Sequence, residues 1–465
     1  MPELDELAAM KVGAIVAPAG HGKTEFIAKV AALGRRALIL THTHAGVHAI
    51  RSRLKRLGIS HHAVAVDTIA GWCMRYANAF PGVAKPPNGM PKNGGEWDQL
   101  YHGAILALRV EAVRDVVAAS YDKILIDEYQ DCHLLQHKLA VALSEIVPTL
   151  IFGDPMQGIF EFAGATLSWK GQIHDAFPFA GSLDTPHRWN GKNPDLGMWI
   201  AETRAKLMAG EPIDLATGPI TFRQTDDVFD MGLFFDGIDE REGTQAAIHC
   251  RKGICYQLAR ATSGGFQAIE EMAAGRLQNF ALAWDFSVEN ARRLAAVKSL
   301  IDECVHKKQA NEGDAPDPED EAIATEMNAI AKTLGDGNGA ASLRKLFGLA
   351  RKRRRWKIFR GEIWRDAERA ISELELGRCE TMTEATAKIR QRMTNSGRRL
   401  PLRTVSTPLL LKGLEFDHVV IPNAAHFGNE DTAQAKLFYV AISRATRSLT
   451  VASSNRILKL PKPTT

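Results

Sequence analysis

A chain of 465 residues, 45% apolar and 24% charged, can bury several cores, and its length predicts two to four domains. No run of eighteen apolar residues occurs and the opening Met1-Pro2-Glu3-Leu4-Asp5-Glu6 is acidic, so the expectation is a cytoplasmic protein without a membrane span or secretory leader. The six cysteines (Cys73, Cys132, Cys250, Cys255, Cys304, Cys379) fall at no CxxC or zinc-site spacing and read as reduced thiols, and a net charge of +4 says little by itself about partners.

In chain order, the first strong signal is the apolar run Gly13-Ala14-Ile15-Val16. It leads into Ala17-Pro18-Ala19-Gly20-His21-Gly22-Lys23-Thr24 and then a helical Glu25-Phe26-Ile27-Ala28-Lys29-Val30. Strand, loop, GK[ST] and helix is the context of a phosphate-binding P-loop, with Ala17 where glycine is usual. Gly20 and Gly22 would let backbone N–H groups converge on phosphate oxygens at a helix N-terminus. Lys23 would reach the β- and γ-phosphates, and Thr24 would ligate Mg²⁺. The histidines His42, His44, His48, His61 and His62 have no carboxylate or cysteine at ligand spacing and read as loop and surface residues. Residues 81–95 are rich in Pro and Gly and predict an irregular loop, opening a small insertion that ends in a helix over 106–119.

Next comes Lys123-Ile124-Leu125-Ile126-Asp127-Glu128-Tyr129-Gln130-Asp131, about a hundred residues past the P-loop. A short buried strand delivers two adjacent carboxylates at its C-terminal end, where ligands of parallel α/β sheets sit. A bare acidic pair would read as a solvated turn; after a P-loop it reads as a Walker B site. Asp127 would hold Mg²⁺ through its water shell, and Glu128 would orient or deprotonate the water that attacks a γ-phosphate.

Strands predicted over 13–17, 37–41, 63–67, 123–127, 149–153 and 182–185 alternate with helical patterns, which argues a doubly wound, mostly parallel sheet. A second α/β unit is expected from near Trp189, with strands over 246–251, 403–407, 418–422 and 448–452. Between about 262 and 395 the periodicity turns helical, with no β-rich run and an acidic, exposed loop over 311–321. This insertion carries Arg351-Lys352-Arg353-Arg354-Arg355-Trp356-Lys357, cations around one indole. Such a run suits a phosphate backbone plus base stacking, and equally a solvated helical face.

Farther along, Gly153-Asp154-Pro155-Met156-Gln157-Gly158-Ile159-Phe160-Glu161-Phe162 joins Asp127-Glu128-Tyr129-Gln130-Asp131 in resembling motifs III and II of the UvrD/Rep-like superfamily 1 helicases. Thr41-His42-Thr43-His44-Ala45-Gly46 resembles motif Ia and Asp67-Thr68-Ile69-Ala70-Gly71-Trp72 motif Ib. Leu183-Asp184-Thr185-Pro186-His187-Arg188-Trp189 is similar to motif IV, Leu411-Lys412-Gly413-Leu414-Glu415-Phe416-Asp417 to motif V, and Leu437-Phe438-Tyr439-Val440-Ala441-Ile442-Ser443-Arg444-Ala445 to motif VI.

The resemblance implies two RecA-like domains with ATP in the cleft between them and single-stranded DNA across their tops. The implied boundaries are 1–77 and 121–188 for the first domain, with a small helical insertion over 78–120. The second takes 189–261 and 396–465, with a helical insertion over 262–395. Gln157, Arg188 and Arg444 would complete the hydrolytic site with Glu128, the arginines reaching the γ-phosphate only when the cleft closes. His187 and Glu415 would belong to the nucleotide pocket. His42, Thr68, Trp72, Phe160 and Phe162 would face DNA, joined by Arg351, Arg353, Arg354 and Trp356 of the basic run.

The family's usual adenine-reading glutamine before the P-loop is absent, and His187 replaces the aromatic that stacks on adenine, so relaxed nucleotide selectivity is expected. The implied activity is an Mg-ATP-driven, 3′-to-5′ DNA helicase or translocase acting on single strands and junctions. Rival expectations are a DNA-stimulated ATPase without strong unwinding beside a nuclease or other repair or defence partner, an RNA-directed helicase, and a binding module with a decayed site.

Overall fold

The computed structural model describes residues 3–159, 167–269, 273–286, 289–307, 317–336, 339–396, 401–431 and 433–464. The chain folds into two compact units, Met1–Gln224 with Ala424–Thr465, and Thr225–Asn423.

In the first unit, β1 (Val12–Val16), β2 (Ala37–Thr41), β3 (Val64–Thr68), β4 (Lys123–Ile126), β5 (Thr149–Gly153) and β6 (Phe179–Ser182) form a parallel sheet in the order β3-β2-β4-β5-β1-β6. Strands β2, β4 and β5 are buried at every residue, as befits a parallel sheet covered on both faces. Side chains alternate between two cores. Leu38, Leu40, Ile124, Ile126 and Ile151 enter one, whereas Ile39, Leu125, Leu150 and Phe152 enter the other. All six strands run the same way, so the ends of β1, β4 and β5 that carry the P-loop, the acidic pair and Asp154 share one edge.

The Pro- and Gly-rich stretch is more ordered than its composition predicts. Pro81–Ala84 is a helical turn with proline at its start, where a missing N–H costs nothing. The helix Gly94–Ala107 begins inside the stretch, because the Asn93 side chain accepts from Glu96 N at 3.0 Å. The helix expected over 106–119 is divided accordingly, its second part being Glu111–Ser120.

Strands Ala445–Ser453 and Thr221–Gln224 of the first unit pair in parallel. In the second unit Gln267–Ala268, Arg403–Ser406, Gln245–Ile248 and Phe416–Ile421 are parallel neighbours in that order. Together these are the strands of a second six-stranded sheet, and two such sheets flanked by helices make an α/β fold of two RecA-like domains.

The second unit also contains the helices Ala273–Asp285, Asn290–Cys304, Pro318–Ala331, Gly339–Lys352, Gly361–Glu375 and Met382–Ser396, built around a core that includes Trp284, Leu300, Phe347 and Trp364. Two expectations are corrected here. A short antiparallel ribbon, Val305–Lys307 against Trp356–Ile358, lies among these helices, its three-residue strands too brief to show a period. The acidic segment is not all loop, because Asp317 caps the helix Pro318–Ala331, accepting from Glu319 N at 3.1 Å and Asp320 N at 3.4 Å.

Those same acids engage the arginine run. Arg353 contacts buried Asp320 at 2.9 Å, Arg354 contacts Asp317 and Glu319 at 3.0 Å each, and Arg351 contacts Glu368 at 2.6 Å. Trp356 is half-buried beneath Arg353 and Lys307, at 5.1 and 4.8 Å from its ring centre. Three arginines of the run therefore pair with acids of their own unit, while Arg351, Lys352, Arg354 and Lys357 remain exposed. Among the described residues no helix is long and apolar enough to cross a membrane.

Trp72 is also relocated relative to expectation. It is wholly buried in the first unit and stacks on Tyr76 with ring centres 4.1 Å apart, since its helix Ile69–Ala79 turns that side into the core. Replacing Trp72 by Ala should lower the unfolding free energy by about 3–5 kcal/mol, measured by chemical denaturation. A loss below about 1 kcal/mol would mean the indole is not a core residue.

Candidate active site

The P-loop leaves the end of β1. Ala17 tolerates its Cβ because it is still sheet-like, its N–H donating to the Gly153 carbonyl at 2.8 Å. Gly20 and Gly22 have φ of 77° and 78°, the left-handed region that favours glycine. Neither has room for more: a Cβ on Gly20 would fall 2.6 Å from the Trp189 ring, and one on Gly22 would fall 3.1 Å from the His187 ring. Gly22 opens the helix Lys23–Ala32 without a side-chain cap, so the N–H groups of its first turn face the loop. His21, whose buried ring is held below its usual pKa chiefly by desolvation, donates from Nδ1 to the Ala19 carbonyl at 2.9 Å.

Lys23 Nζ lies 2.7 Å from Asp127 Oδ1 and 2.6 Å from Glu128 Oε1. Burial by itself would pull this ammonium down, but the two carboxylates outweigh it and shift the group upward. Asp127 shifts upward too, since burial penalises its charge and Glu128 adds repulsion, against the attraction of Lys23. One cation between two carboxylates leaves a net negative charge. With half-buried Thr24 in the first helical turn, that donor set fits a divalent cation carried by a triphosphate.

The pairing depends on an unusual backbone at Glu128. Successive side chains of a strand point to opposite faces, so Asp127 and Glu128 could not share one ammonium in extended conformation. Glu128 instead takes φ 54° and ψ 42°, a left-handed geometry costing about 1–3 kcal/mol for a residue with a side chain. Gln130 secures it: its amide nitrogen donates to Glu128 Oε2 while its Oε1 accepts from Asp154 N at 3.0 Å. Next to it, buried Tyr129 bonds through its hydroxyl to His137 Nδ1 at 2.8 Å.

Asp154 is fully buried and organises the segment after β5. Its Oδ2 accepts from Gln157 Nε2 at 3.1 Å, and its Oδ1 accepts from Met156 N at 3.1 Å and Arg204 Nη2 at 2.7 Å. Burial pulls the Arg204 guanidinium down, but Asp154 beside it makes the net shift upward.

Arg188 donates from its backbone to the Gly20 carbonyl at 2.9 Å and from Nη1 to the Ser443 carbonyl at 2.6 Å. Arg444, 1% exposed, donates from Nε to the Val440 carbonyl at 3.0 Å and from Nη2 to Ser443 Oγ at 2.7 Å. Tyr439 of the preceding helix, Gln434–Ile442, accepts from Ala19 N at 2.9 Å, and burial pushes its phenol well up. Thus Lys23, Asp127, Glu128, Gln157, His187, Arg188 and Arg444 all belong to the first compact unit.

Other expected residues are dispersed. Glu415 is exposed in the second unit, ahead of the strand Phe416–Ile421. His42 is half-buried, its Nε2 3.5 Å from Cys132 Sγ. The Thr68 hydroxyl caps its helix by accepting from Gly71 N at 2.9 Å, and Trp72 is in the core with no face free for a base. Phe160 and Phe162 lie outside the described residues. Sequence reading passed over Gln130, Arg204 and Tyr439. Gln130 and Tyr439 stand inside quoted motifs, whereas Arg204 sits in an ordinary amphipathic helix with nothing to single it out.

Two family models match: the UvrD/REP helicase N-terminal domain over residues 90–178 and the UvrD-like helicase C-terminal domain over residues 405–452. No curated protein matches the sequence. Among solved structures, the chain is similar to the Pif1 helicase from Candida albicans, at 12% identity over 97% of this chain and 94% of that one, with a TM-score of 0.39. It is also similar to the arterivirus nonstructural protein 10 helicase, at 11% identity over 97% of this chain, with a TM-score of 0.34. The chain spans 61% of the length of that arterivirus helicase. The complex of the arterivirus protein with DNA matches over 53% of this chain and 49% of that one, at 13% identity and a TM-score of 0.28. At these scores the structural likenesses add nothing to the family placement. The two domain matches fall in chain order on the segments that carry the acidic pair and the Arg444 motif, and they support a UvrD/Rep-like superfamily 1 helicase.

Proposed function

We propose that this helicase couples Mg-ATP hydrolysis to 3′-to-5′ movement along single-stranded DNA, with separation of duplex ahead of it. The observation that carries the reading is the Lys23 ammonium held between Asp127 and Glu128 at the end of a parallel strand, beside the P-loop. When a triphosphate enters, Lys23 would exchange the carboxylates for the β- and γ-phosphates. Thr24 and Asp127 would hold Mg²⁺, which would supply positive charge to offset the negative charge of the phosphates. Glu128, released from Lys23 and steadied by Gln130, would take the proton of the attacking water. Arg188 and Arg444, joined through Ser443, would offer guanidinium charge to the transferred group, and Gln157 would sense it.

The interior position of Trp72 and the internal pairing of the arginine run favour a second reading, a translocase or DNA-responsive ATPase with little unwinding, working beside a partner protein. One experiment separates the two. A DNA oligonucleotide should stimulate ATP turnover, and a 3′-tailed duplex should be separated while a 5′-tailed one is not. Stimulated turnover without separation of either duplex selects the second reading, separation from the 5′ tail alone overturns the polarity, and RNA in the same assay tests the strand chemistry.

Glu128→Gln should slow hydrolysis by about 10²–10⁴-fold while ATP and DNA still bind, followed by steady-state turnover and equilibrium titration. Turnover within a few-fold of the parent would remove Glu128 from the role of base.

His187 rather than an aromatic ring faces Gly22, and no upstream glutamine is present to read adenine. GTP and CTP should therefore support more than about a hundredth of the ATP rate, that is, discrimination below ~2.7 kcal/mol. A steeper preference for ATP would show that other groups read the base.

A further inference from the structure

We propose that Arg204, on the helix Pro194–Ala209, is a positioning residue for hydrolysis: it holds the buried Asp154 carboxylate, which in turn fixes the orientation of the Gln157 amide. The inference rests on the reading of the site as an ATPase and adds a residue that none of the helicase motifs contains.

The chemistry begins with Asp154, which has no exposed surface. A carboxylate buried alone takes up a proton or unfolds its surroundings unless a cation and hydrogen bonds compensate it. Arg204 supplies the cation through two nitrogens on one oxygen, Nη2 at 2.7 Å and Nε at 3.3 Å from Oδ1. Met156 N at 3.1 Å shares that oxygen, and Gln157 Nε2 at 3.1 Å takes Oδ2. An ionised carboxylate only accepts, so the end of the amide turned toward Asp154 must be the NH₂. The Gln157 carbonyl oxygen is thereby turned to the other side, where it can serve only as an acceptor. Were Asp154 neutral, it could donate to that oxygen instead, and the amide could turn over.

Arg204 also lies over the ring of Tyr439, 5.9 Å from its centre, and the Tyr439 hydroxyl receives the Ala19 N–H of the P-loop. The guanidinium therefore sits where the segment after β5, the helix Gln434–Ile442 and the phosphate loop meet, without touching any group assigned to the nucleotide. A salt bridge that merely steadied the fold would lower stability in proportion to its loss, but it would not act through Gln157 in particular.

A double-mutant cycle on the full chain tests this, with ATP turnover measured in the presence of a single-stranded oligonucleotide. Arg204→Met is expected to lower kcat at least tenfold with KM for ATP changed less than threefold, and Arg204→Lys to fall between it and the parent. Gln157→Ala should cost a similar factor, and the double variant should lose no more than a further twofold. Losses that multiply, a change confined to KM, or an unaltered rate in Arg204→Met would each overturn the proposal. If Arg204→Met does not fold, Arg204→Lys enters the same cycle and is judged by the same non-additivity. A parent protein without ATP turnover would instead overturn the ATPase reading on which the proposal rests.

Discussion

A single ammonium shared by two adjacent carboxylates is the constraint around which the rest of the first unit is arranged. Neighbouring residues of a strand cannot both face one point, so the chain must leave β conformation between Asp127 and Glu128, and it does so at a cost in backbone strain. That strain needs surroundings that over-determine it. Gln130 provides them, reaching from Glu128 to the backbone of Asp154, and a Cβ at Gly153 would fall 2.6 Å from the Gln130 oxygen. The Gly153 position is thus kept small by a hydrogen bond that belongs to the neighbouring strand's acidic pair.

The arrangement also explains how a site with this much buried charge can stand without its substrate. Lys23 acts as a placeholder cation for the carboxylates, and they act as placeholder anions for it. On the proposed reading a metal-bound triphosphate would satisfy both sides at once, with Asp127 holding the cation and Lys23 the phosphates. Partners would then be exchanged rather than lost, at a smaller desolvation cost than breaking a buried pair outright. A nucleotide without its metal would satisfy Lys23 alone and leave both carboxylates facing added negative charge.

The parts of this molecule that could be read from sequence are those whose pattern is local. Strands β2 and β5 fall where apolar runs placed them, since a fully covered parallel strand is apolar throughout. The P-loop and acidic pair could be read because each gives the other its context, a lone acidic pair at a strand end being otherwise a solvated turn. Trp72 misled because a motif position carries no information about which side of its helix meets the core. The ion pairs of the arginine run were not legible because its counter-charges lie elsewhere in sequence, Asp320 being 33 residues before Arg353 and Glu368 17 after Arg351. The helix Gly94–Ala107 was obscured by its own N-terminal glycines, although the Asn93 and Glu96 capping pair stood in plain view.

The bond between Ala19 and Tyr439 joins residues 420 apart, and the contacts of Arg188 with Ser443 and of Trp189 Nε1 with the Ala445 carbonyl span more than 250. Contacts this distant form late in folding, after nearby segments have settled, because closing so long a loop costs entropy that local contacts do not repay. The same bonds work in the other direction once the protein is folded. A shift of the Ala19 N–H on phosphate binding must be answered by the Tyr439 hydroxyl, and a shift of Arg188 by the turn that also holds Arg444. The phosphate loop and the turn that holds Arg444 are thus joined by short hydrogen bonds of 2.6 to 2.9 Å, which leave little slack in a close-packed interior.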